Sequence, residues 1–242
     1  MKKDTLFTKR KNNTMNFDFG KETAEVFDDM LDRSIPLYAE LQRMIGEIAS
    51  EFSQEGTNIY DLGCSTGITL ATVDRVVKKK VKLVGVDYSE PMLAKCRERF
   101  KKYGISNDNE LVCRDLNKGA GIINNASVVI LNLTLQFVRP LHRDNLIRDI
   151  YNGLNKKGCL ILIEKVLGND SMFNQVFIKF YHDMKKRQGY SDMEIAQKRE
   201  ALENVLIPYR LDENKQLLVR NGFTSMDVFY KWYNFCGVAA VK

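Results

Sequence analysis

Three features that large classes of protein need are missing from this 242-residue sequence. No apolar run approaches the roughly 20 residues of a transmembrane helix, and the N-terminus lacks the apolar stretch of about 7 to 15 residues found in secretory signals. The five cysteines are odd in number and never spaced as C-x-x-C, which argues against a disulfide framework and against a zinc site. We therefore predict a cytoplasmic protein with reduced cysteines, no metal and no membrane contact.

A block of positive charge is missing too. The net charge is +6, and 31 acidic residues are interspersed with 37 basic ones. Nucleic-acid binding requires a broad basic field, so we expect no direct contact with nucleic acid. The one basic cluster lies within residues 1–20, which we interpret as a flexible, solvated N-terminus. Its members are Lys2, Lys3, Lys9, Arg10 and Lys11.

Hydrophobic periodicity predicts that residues 21–242 form a single α/β domain. Apolar residues recur at steps of three and four over 22–34 and 35–52, which predicts two N-terminal helices separated at Pro36. Short β-branched runs then alternate with helical patterns, as in a mostly parallel sheet with helices on both faces. The predicted strands are NIYDL, KLVGVDY, ELVCRDL, SVVILNLTLQF and CLILIEKV. Gly158 is predicted to end the helix before the last of them.

The C-terminal third departs from this alternation. A helical insertion is predicted over about 168–207, and it contains a capping box at Ser191 and Glu194. The closing segment TSMDVFYKWYNFCGVAAVK holds two β-rich runs around Asn234. These runs predict an antiparallel pair that completes a sheet of seven strands.

The stretch IYDLGCSTGITL at residues 59–70 joins a predicted strand to a predicted helix. The first turn of a helix leaves backbone N–H groups without internal acceptors, so we expect a pocket of free donors for a small polar ligand. A dinucleotide motif, G-x-G-x-x-G, would need glycines where Ser65 and Ile68 stand. The spacing instead fits D-x-G-x-G-x-G with one substitution at Ser65. In this it resembles the nucleotide loop of the S-adenosylmethionine-dependent methyltransferases.

Polar residues follow three of the other predicted strands. Asp87 is placed to accept from both ribose hydroxyls, Asp115 is placed to accept from an adenine amino group, and Asn132 interrupts an apolar run. Each aspartate taken alone is equally well a turn former or a helix cap. Together they favour a ligand site, because the carboxyl ends of parallel strands share the edge where open α/β sheets bind ligands.

Arg199 stands on a predicted apolar stripe with Ile195, Leu202 and Leu206. One interpretation is that its stem packs while its head reaches outward to solvent or pairs with an acidic residue across a subunit boundary. The other is that it receives a carboxylate, which ordinary methyl transfer would not require. The pattern leaves both open.

From DTLF at residues 4–7 to its last strand, the chain resembles the carboxy-S-adenosyl-L-methionine synthases of the bacterial wobble-uridine modification pathway. The loop motif alone names only a superfamily, whereas residues 182–205 are far more specific. The resemblance rests on the segments AEVFDDMLDRSIPLY, YDLGCSTG, VVILNLTLQF, HDMKKRQGYSDMEIAQKREALENV and NFCGVAA. It implies a Rossmann-like methyltransferase fold.

The resemblance also implies a set of ligand-binding residues, with Arg199 as the catalytic one. They are Tyr38, Gly63, Cys64, Ser65, Asp87, Tyr88, Asp115, Leu116, Asn132 and Arg199. Tyr88 stands where we expect a smaller polar residue in the family, so a backbone contact would survive there more readily than a side-chain contact. Tyr38 and Tyr190 are expected to close the pocket, whereas His142 and His182 are expected to be solvated or structural.

The implied reaction converts S-adenosylmethionine and prephenate into carboxy-S-adenosylmethionine and phenylpyruvate. The resemblance further implies a homodimer, with a contact in the helical insertion, and use of the product by a tRNA carboxymethyltransferase. Two alternatives stay open at this point. One is an ordinary methyltransferase acting on a small molecule or tRNA, and the other is a non-catalytic S-adenosylmethionine-binding module.

Overall fold

A computed structural model describes residues 2–9 and 16–242 of the chain. Its centre is a seven-stranded sheet in the order β3-β2-β1-β4-β5-β7-β6. The first five strands are mutually parallel, whereas β7 runs antiparallel to both β5 and β6. The strands are β1 Asn58–Leu62, β2 Lys82–Asp87, β3 Asp108–Cys113, β4 Ala126–Asn132, β5 Leu154–Lys165, β6 Ser225–Trp232 and β7 Phe235–Val241. The predicted α/β fold with a mostly parallel sheet is confirmed.

Helices cover both faces of the sheet, as predicted. They are α1 Lys21–Ser34, α2 Tyr38–Phe52, α3 Ile68–Val76, α4 Glu90–Tyr103, α5 Pro140–Gly153, α6 Ser171–Arg187, α7 Asp192–Leu202 and α8 Leu211–Arg220. Short 3-10 turns follow β3 and β4, at Leu116–Lys118 and Leu135–Phe137. The capping box at Ser191 and Glu194 begins α7 as expected. Within the described ranges, no helix is both long and apolar enough to cross a membrane.

Two apolar cores lie on opposite faces of the sheet. Along β4, Val128 and Ile130 belong to the core under α2, α3 and α4, while Val129 and Leu131 belong to the core under α5 and α8. The alternation follows from the pleat, which sends successive side chains to opposite faces. A strand with helices on both sides is therefore continuously apolar, as the sequence of β4 is.

One predicted helix end is wrong. Helix α5 ends at Gly153, and Gly158 lies inside β5. A side chain at Gly153 would place its Cβ 2.4 Å from Ile123 Cγ2, so close packing requires the glycine there. The segment between the two glycines forms an irregularity of the β4–β5 register, where Leu154 pairs with Ala126 and Cys159 with Val128.

The prediction of a solvated N-terminus holds for only part of residues 2–9. Lys2, Lys3 and Lys9 are exposed, but Asp4 and Phe7 are buried. Asp4 accepts a hydrogen bond from the Tyr190 hydroxyl at 2.6 Å and another from its backbone neighbour Leu6 at 3.2 Å. A buried, hydrogen-bonded carboxylate cannot belong to a solvated tail, so the expectation is wrong for this stretch. Arg10 and Lys11 lie outside the described residues.

Candidate functional site

A cavity of about 360 Å³ lies along the carboxyl ends of the five parallel strands. Helices α1, α2, α6 and α7 supply its other walls. All ten residues named from the sequence line it, although they come from the N-terminal helices, four strand ends and the insertion. The structure therefore brings the whole predicted set together, and the binding role of each residue stays a prediction.

The loop after β1 has the tight geometry that its glycines imply. Gly63, Ser65 and Gly67 all adopt positive φ values, of 82°, 48° and 78°, a region that favours glycine. A Cβ on Gly63 would lie 2.4 Å from Thr134 Oγ1, and one on Gly67 would lie 2.4 Å from Cys96 Sγ. The loop thus passes directly against the turn after β4 and against α4, which leaves no room for side chains at either glycine.

The prediction of free backbone N–H groups in this loop is wrong for four of them. The N–H groups of Gly63 and Cys64 donate to Val86 O, that of Ser65 donates to Asp87 Oδ2, and that of Gly67 donates to Cys64 O. The end of β2 therefore accepts three of these hydrogen bonds and Cys64 O accepts the fourth, so these N–H groups are not free for a ligand. The loop is held in shape by the protein itself, and backbone carbonyls and side chains remain for a ligand.

Asp87 and Asp115 both hold turns or helix starts by hydrogen bonds, and both line the cavity. Asp87 Oδ1 accepts from Ser89 N at 2.8 Å, so its carboxylate ties α4 as well as the loop to β2. Burial raises the pKa of Asp87 despite these bonds. Asp115 caps the 3-10 turn by accepting from Asn117 N at 2.9 Å. A carboxylate offers about four acceptor positions, so both aspartates keep capacity for ligand hydroxyl or amino groups.

Asn132 and Asp61 each hold a buried oxygen without a hydrogen-bond partner in the described structure. Asn132 Nδ2 donates to Thr69 Oγ1 at 3.2 Å, which leaves its Oδ1 unpaired at the cavity wall. For Asp61, burial and the nearby Asp87 charge raise the pKa to about 8. An orphaned buried acceptor costs about 1–3 kcal/mol, so a ligand that donates a hydrogen bond to Asn132 Oδ1 fits the cavity, whose lining does not include Asp61.

Arg199 lines the cavity from α7 but is exposed, unlike the buried Ile195 one turn before it. Among the described residues its guanidinium forms no ion pair, although Glu203 follows four positions later and lines the same cavity. Helix α7 ends at Leu202, so Leu206 continues the cavity wall from outside the helix. The exposure of Arg199 agrees with a head that reaches outward, and its place in the cavity wall agrees with a carboxylate ligand, so both interpretations stay open.

Five further basic side chains line the cavity and were not named as ligand residues in the sequence analysis: Arg114, Lys165, His182, Lys185 and Lys198. Burial and neighbouring cations lower the pKa of Lys185 to about 7, that of Lys198 to about 8 and that of His182 to about 4. His182 is therefore neutral near pH 7, and it faces the cavity rather than solvent. The one available signal was Lys165, which, like Asp87, is the last residue of a buried strand.

The two tyrosines expected to close the pocket behave differently. Tyr38 is buried and lines the cavity. Tyr190 does not line it, because its hydroxyl is bonded to Asp4 and the Arg33 guanidinium covers its ring at 4.0 Å. Tyr88 is half-exposed at the cavity mouth, where its ring meets Phe19 edge-on at 6.1 Å. His142 is half-buried on α5 and does not line the cavity.

The architecture and the cavity at the strand edge are those of S-adenosylmethionine-dependent methyltransferase domains. A family model described as a methyltransferase domain matches residues 59–158. Solved structures share the fold at low identity. An O-methyltransferase family protein from Burkholderia thailandensis aligns with a TM-score of 0.67 and 13% identity over 96% of this chain and 65% of that one. Human N-acetylserotonin methyltransferase, solved with S-adenosylmethionine, gives 0.59 and 13% over 91% and 55%.

Full-length relatives narrow the class to one family. A carboxy-S-adenosyl-L-methionine synthase from Methylococcus capsulatus is 53% identical over 100% of both chains. Another from Desulforapulum autotrophicum is 46% identical over 100% of this chain and 98% of that one, and one from Desulfotalea psychrophila is 42% identical over the same shares. The chain belongs to the carboxy-S-adenosyl-L-methionine synthase family.

Proposed function

We propose that this protein is a transferase that makes carboxy-S-adenosyl-L-methionine from S-adenosyl-L-methionine and prephenate, releasing phenylpyruvate. The observation that carries the proposal is Arg199, an arginine without an acidic partner in the described chain, in the ligand cavity of a methyltransferase fold. Methylation transfers an uncharged group and gives such an arginine no task. A product that carries a carboxylate near the sulfur gives the arginine an anion to bind.

The chemistry needs little from the protein in the way of acid or base. Prephenate becomes aromatic by losing CO₂ and its hydroxyl group. The departing hydroxide takes a proton from the S-methyl group and becomes water. The resulting carbanion, stabilised by the sulfonium, then forms a carbon–carbon bond to the CO₂. The lowered pKa of His182 makes it a weak base, which agrees with a mechanism in which the substrate supplies the base.

The residues of the site then act by holding two reactants close and dry. The residues at the ends of β2, β3 and β4 would bind the adenosine and amino acid portions of S-adenosylmethionine, with Asn132 Oδ1 and Asp87 as acceptors. Arg199 would bind the transferred carboxylate through two parallel hydrogen bonds. A guanidinium in this position also stabilises charge that develops as CO₂ is captured.

We also propose a homodimer that works in the cytoplasm and hands its product to a tRNA carboxymethyltransferase without touching nucleic acid itself. Exposed apolar side chains on α6 and on the β6–β7 turn support the dimer; they are Met172, Phe173, Phe180 and Tyr233. Contiguous exposed apolar patches mark interaction sites. All five cysteines are unpaired, which suits a reducing compartment.

The first test is incubation of the purified protein with S-adenosylmethionine and prephenate, followed by mass spectrometry. We expect a species heavier than S-adenosylmethionine by one CO₂, together with phenylpyruvate. S-adenosylhomocysteine accumulating with a methylated acceptor would instead favour an ordinary methyltransferase. No calorimetric binding of either S-adenosylmethionine or its carboxylated form would favour a binding module that has lost its ligand.

Replacing Arg199 separates carboxylate capture from methylation. In Arg199→Leu we expect kcat/KM for carboxy-S-adenosylmethionine formation to fall by about 100-fold or more, because a charge-assisted pair is lost. Arg187→Leu is the matched control, since Arg187 is an exposed arginine that ends α6 and does not line the cavity. Full activity of Arg199→Leu would contradict the proposed role.

A further inference from the structure

Two lysines share one aromatic ring at the far end of the cavity. Lys165 is the last residue of β5, and Lys185 is on α6 one turn after Tyr181. Their Nζ atoms lie 5.3 Å and 4.4 Å from the centroid of the Tyr181 ring. Phe235 packs edge-on against the same ring at 5.2 Å, so the platform is fixed in the core. Both lysines line the cavity, and we call them the lysine pair.

The lysine pair has no counter-charge within the described chain. Neither ammonium forms an ion pair with a carboxylate, and Lys185 is only 6% exposed. The charges that act on Lys185 are all positive, from Lys198, Lys165 and Arg199. Lys198 differs, because Ser34 Oγ lies 3.2 Å and Asp4 Oδ2 lies 3.9 Å from its Nζ. Burial and the neighbouring cations disfavour the charged form of Lys185, so a carboxylate that enters would supply the missing counter-charge to it and to the half-buried Lys165.

We propose that the lysine pair binds the carboxylate that the co-substrate keeps, which is the pyruvyl carboxylate of prephenate. The proposal rests on the proposed function. Prephenate carries two carboxylates, and Arg199 accounts only for the one that is transferred. The retained one needs its own cation, and Lys165 stands three strand spacings, about 14 Å, from Asp87 at the adenosine end. The lysine pair is therefore a specificity determinant for a dicarboxylate co-substrate.

The test compares Lys185→Met and Lys165→Met with Lys186→Met. Methionine keeps the length of the side chain and removes the charge. Lys186 is the matched control, since it lies next to Lys185 on α6 but is exposed and paired with Asp192 at the surface. Calorimetry measures two dissociation constants for each variant. One is for S-adenosylmethionine, and the other is for prephenate added to the S-adenosylhomocysteine-loaded protein, where no turnover occurs.

We expect the dissociation constant for prephenate to rise at least about tenfold in both lysine-pair variants, because each loses one partner of a buried charge pair. The dissociation constant for S-adenosylmethionine should change less than about twofold, which also shows that the variants fold. Lys185→Arg should recover part of the affinity for prephenate. Lys186→Met should change neither constant.

Three results would overturn the assignment. An equal loss of affinity for S-adenosylmethionine would mean that the lysine pair binds the methionine carboxylate instead. Unchanged prephenate affinity in both variants would make the pair structural, whether or not the wild type is active. Prephenate binding that depends on Lys185 without any carboxylated product would keep the assignment and reject the proposed reaction. A wild type that does not bind prephenate at all would reject both.

Discussion

At the scale of single residues, the polar groups that the sequence reveals are those that interrupt a strong pattern. Asp87, Asp115 and Asn132 stand out because apolar strands precede or surround them, and the parallel sheet then brings them to one edge. Lys185 gave no such signal. Lysine is normally a surface residue, and nothing in a helical pattern indicates that one particular lysine turns inward onto a tyrosine.

Gly63 provides a test at this scale. In Gly63→Ala we expect the dissociation constant for S-adenosylmethionine to rise at least about tenfold, because the new Cβ would lie 2.4 Å from Thr134 Oγ1 and displace the loop. Calorimetry measures the change. Gly56→Ala is the control, since Gly56 also has a positive φ, of 71°, but has no atom within 4 Å of a built Cβ. Equal losses in the two variants would mean that backbone strain, not the contact with Thr134, limits binding.

At the scale of elements, the sequence predicts most helices and strands from local patterns but not how distant segments pair. The parallel arrangement of β1 to β5 follows from alternation, and the closing antiparallel pair follows from two β-rich runs around one turn. The burial of residues 2–9 does not follow, because Asp4 and its partner Tyr190 are 186 positions apart. From its sequence the segment is basic and polar, but in the fold the Tyr190 hydroxyl and Lys198 lie against the Asp4 carboxylate, and Arg33 donates to the Asp4 backbone carbonyl.

Tyr190→Phe tests whether this N-terminal segment stabilises the fold. We expect the free energy of unfolding to fall by about 1.5–3 kcal/mol, because a buried carboxylate loses a charge-assisted hydrogen bond. Denaturant unfolding followed by fluorescence measures the change. Tyr103→Phe is the matched control, since Tyr103 is exposed at the end of α4. Equal stability of Tyr190→Phe and the wild type would show that the segment does not contribute to the folding free energy.

At the scale of the whole molecule, a group of exposed apolar side chains lies along α6 and the β6–β7 turn. Phe173 and Met172 are 53% and 62% exposed at the start of α6, and the rings of Phe177 and Phe180 lie 5.3 Å and 5.0 Å from that of Tyr233. Phe173, Phe177 and Phe180 recur at steps of four and three residues along α6, a spacing that core stripes and interface stripes share. The structure leaves the stripe partly uncovered, which favours the interface that we propose between two copies.

Phe173→Glu tests that interface. We expect the wild type to have twice the mass of one chain by size exclusion with light scattering, and the variant to shift toward a single chain, because a charge buried in an apolar interface is unfavourable. Leu141→Glu is the matched control: Leu141 is 84% exposed on α5, away from the stripe, so its variant should keep the wild-type mass.

Helix α6 also carries Tyr181 and Lys185 into the cavity, so a dimer across its other face would hold that wall in place. If so, Phe173→Glu should also weaken prephenate binding, while a monomeric variant with unchanged affinity would show that one chain forms the complete site.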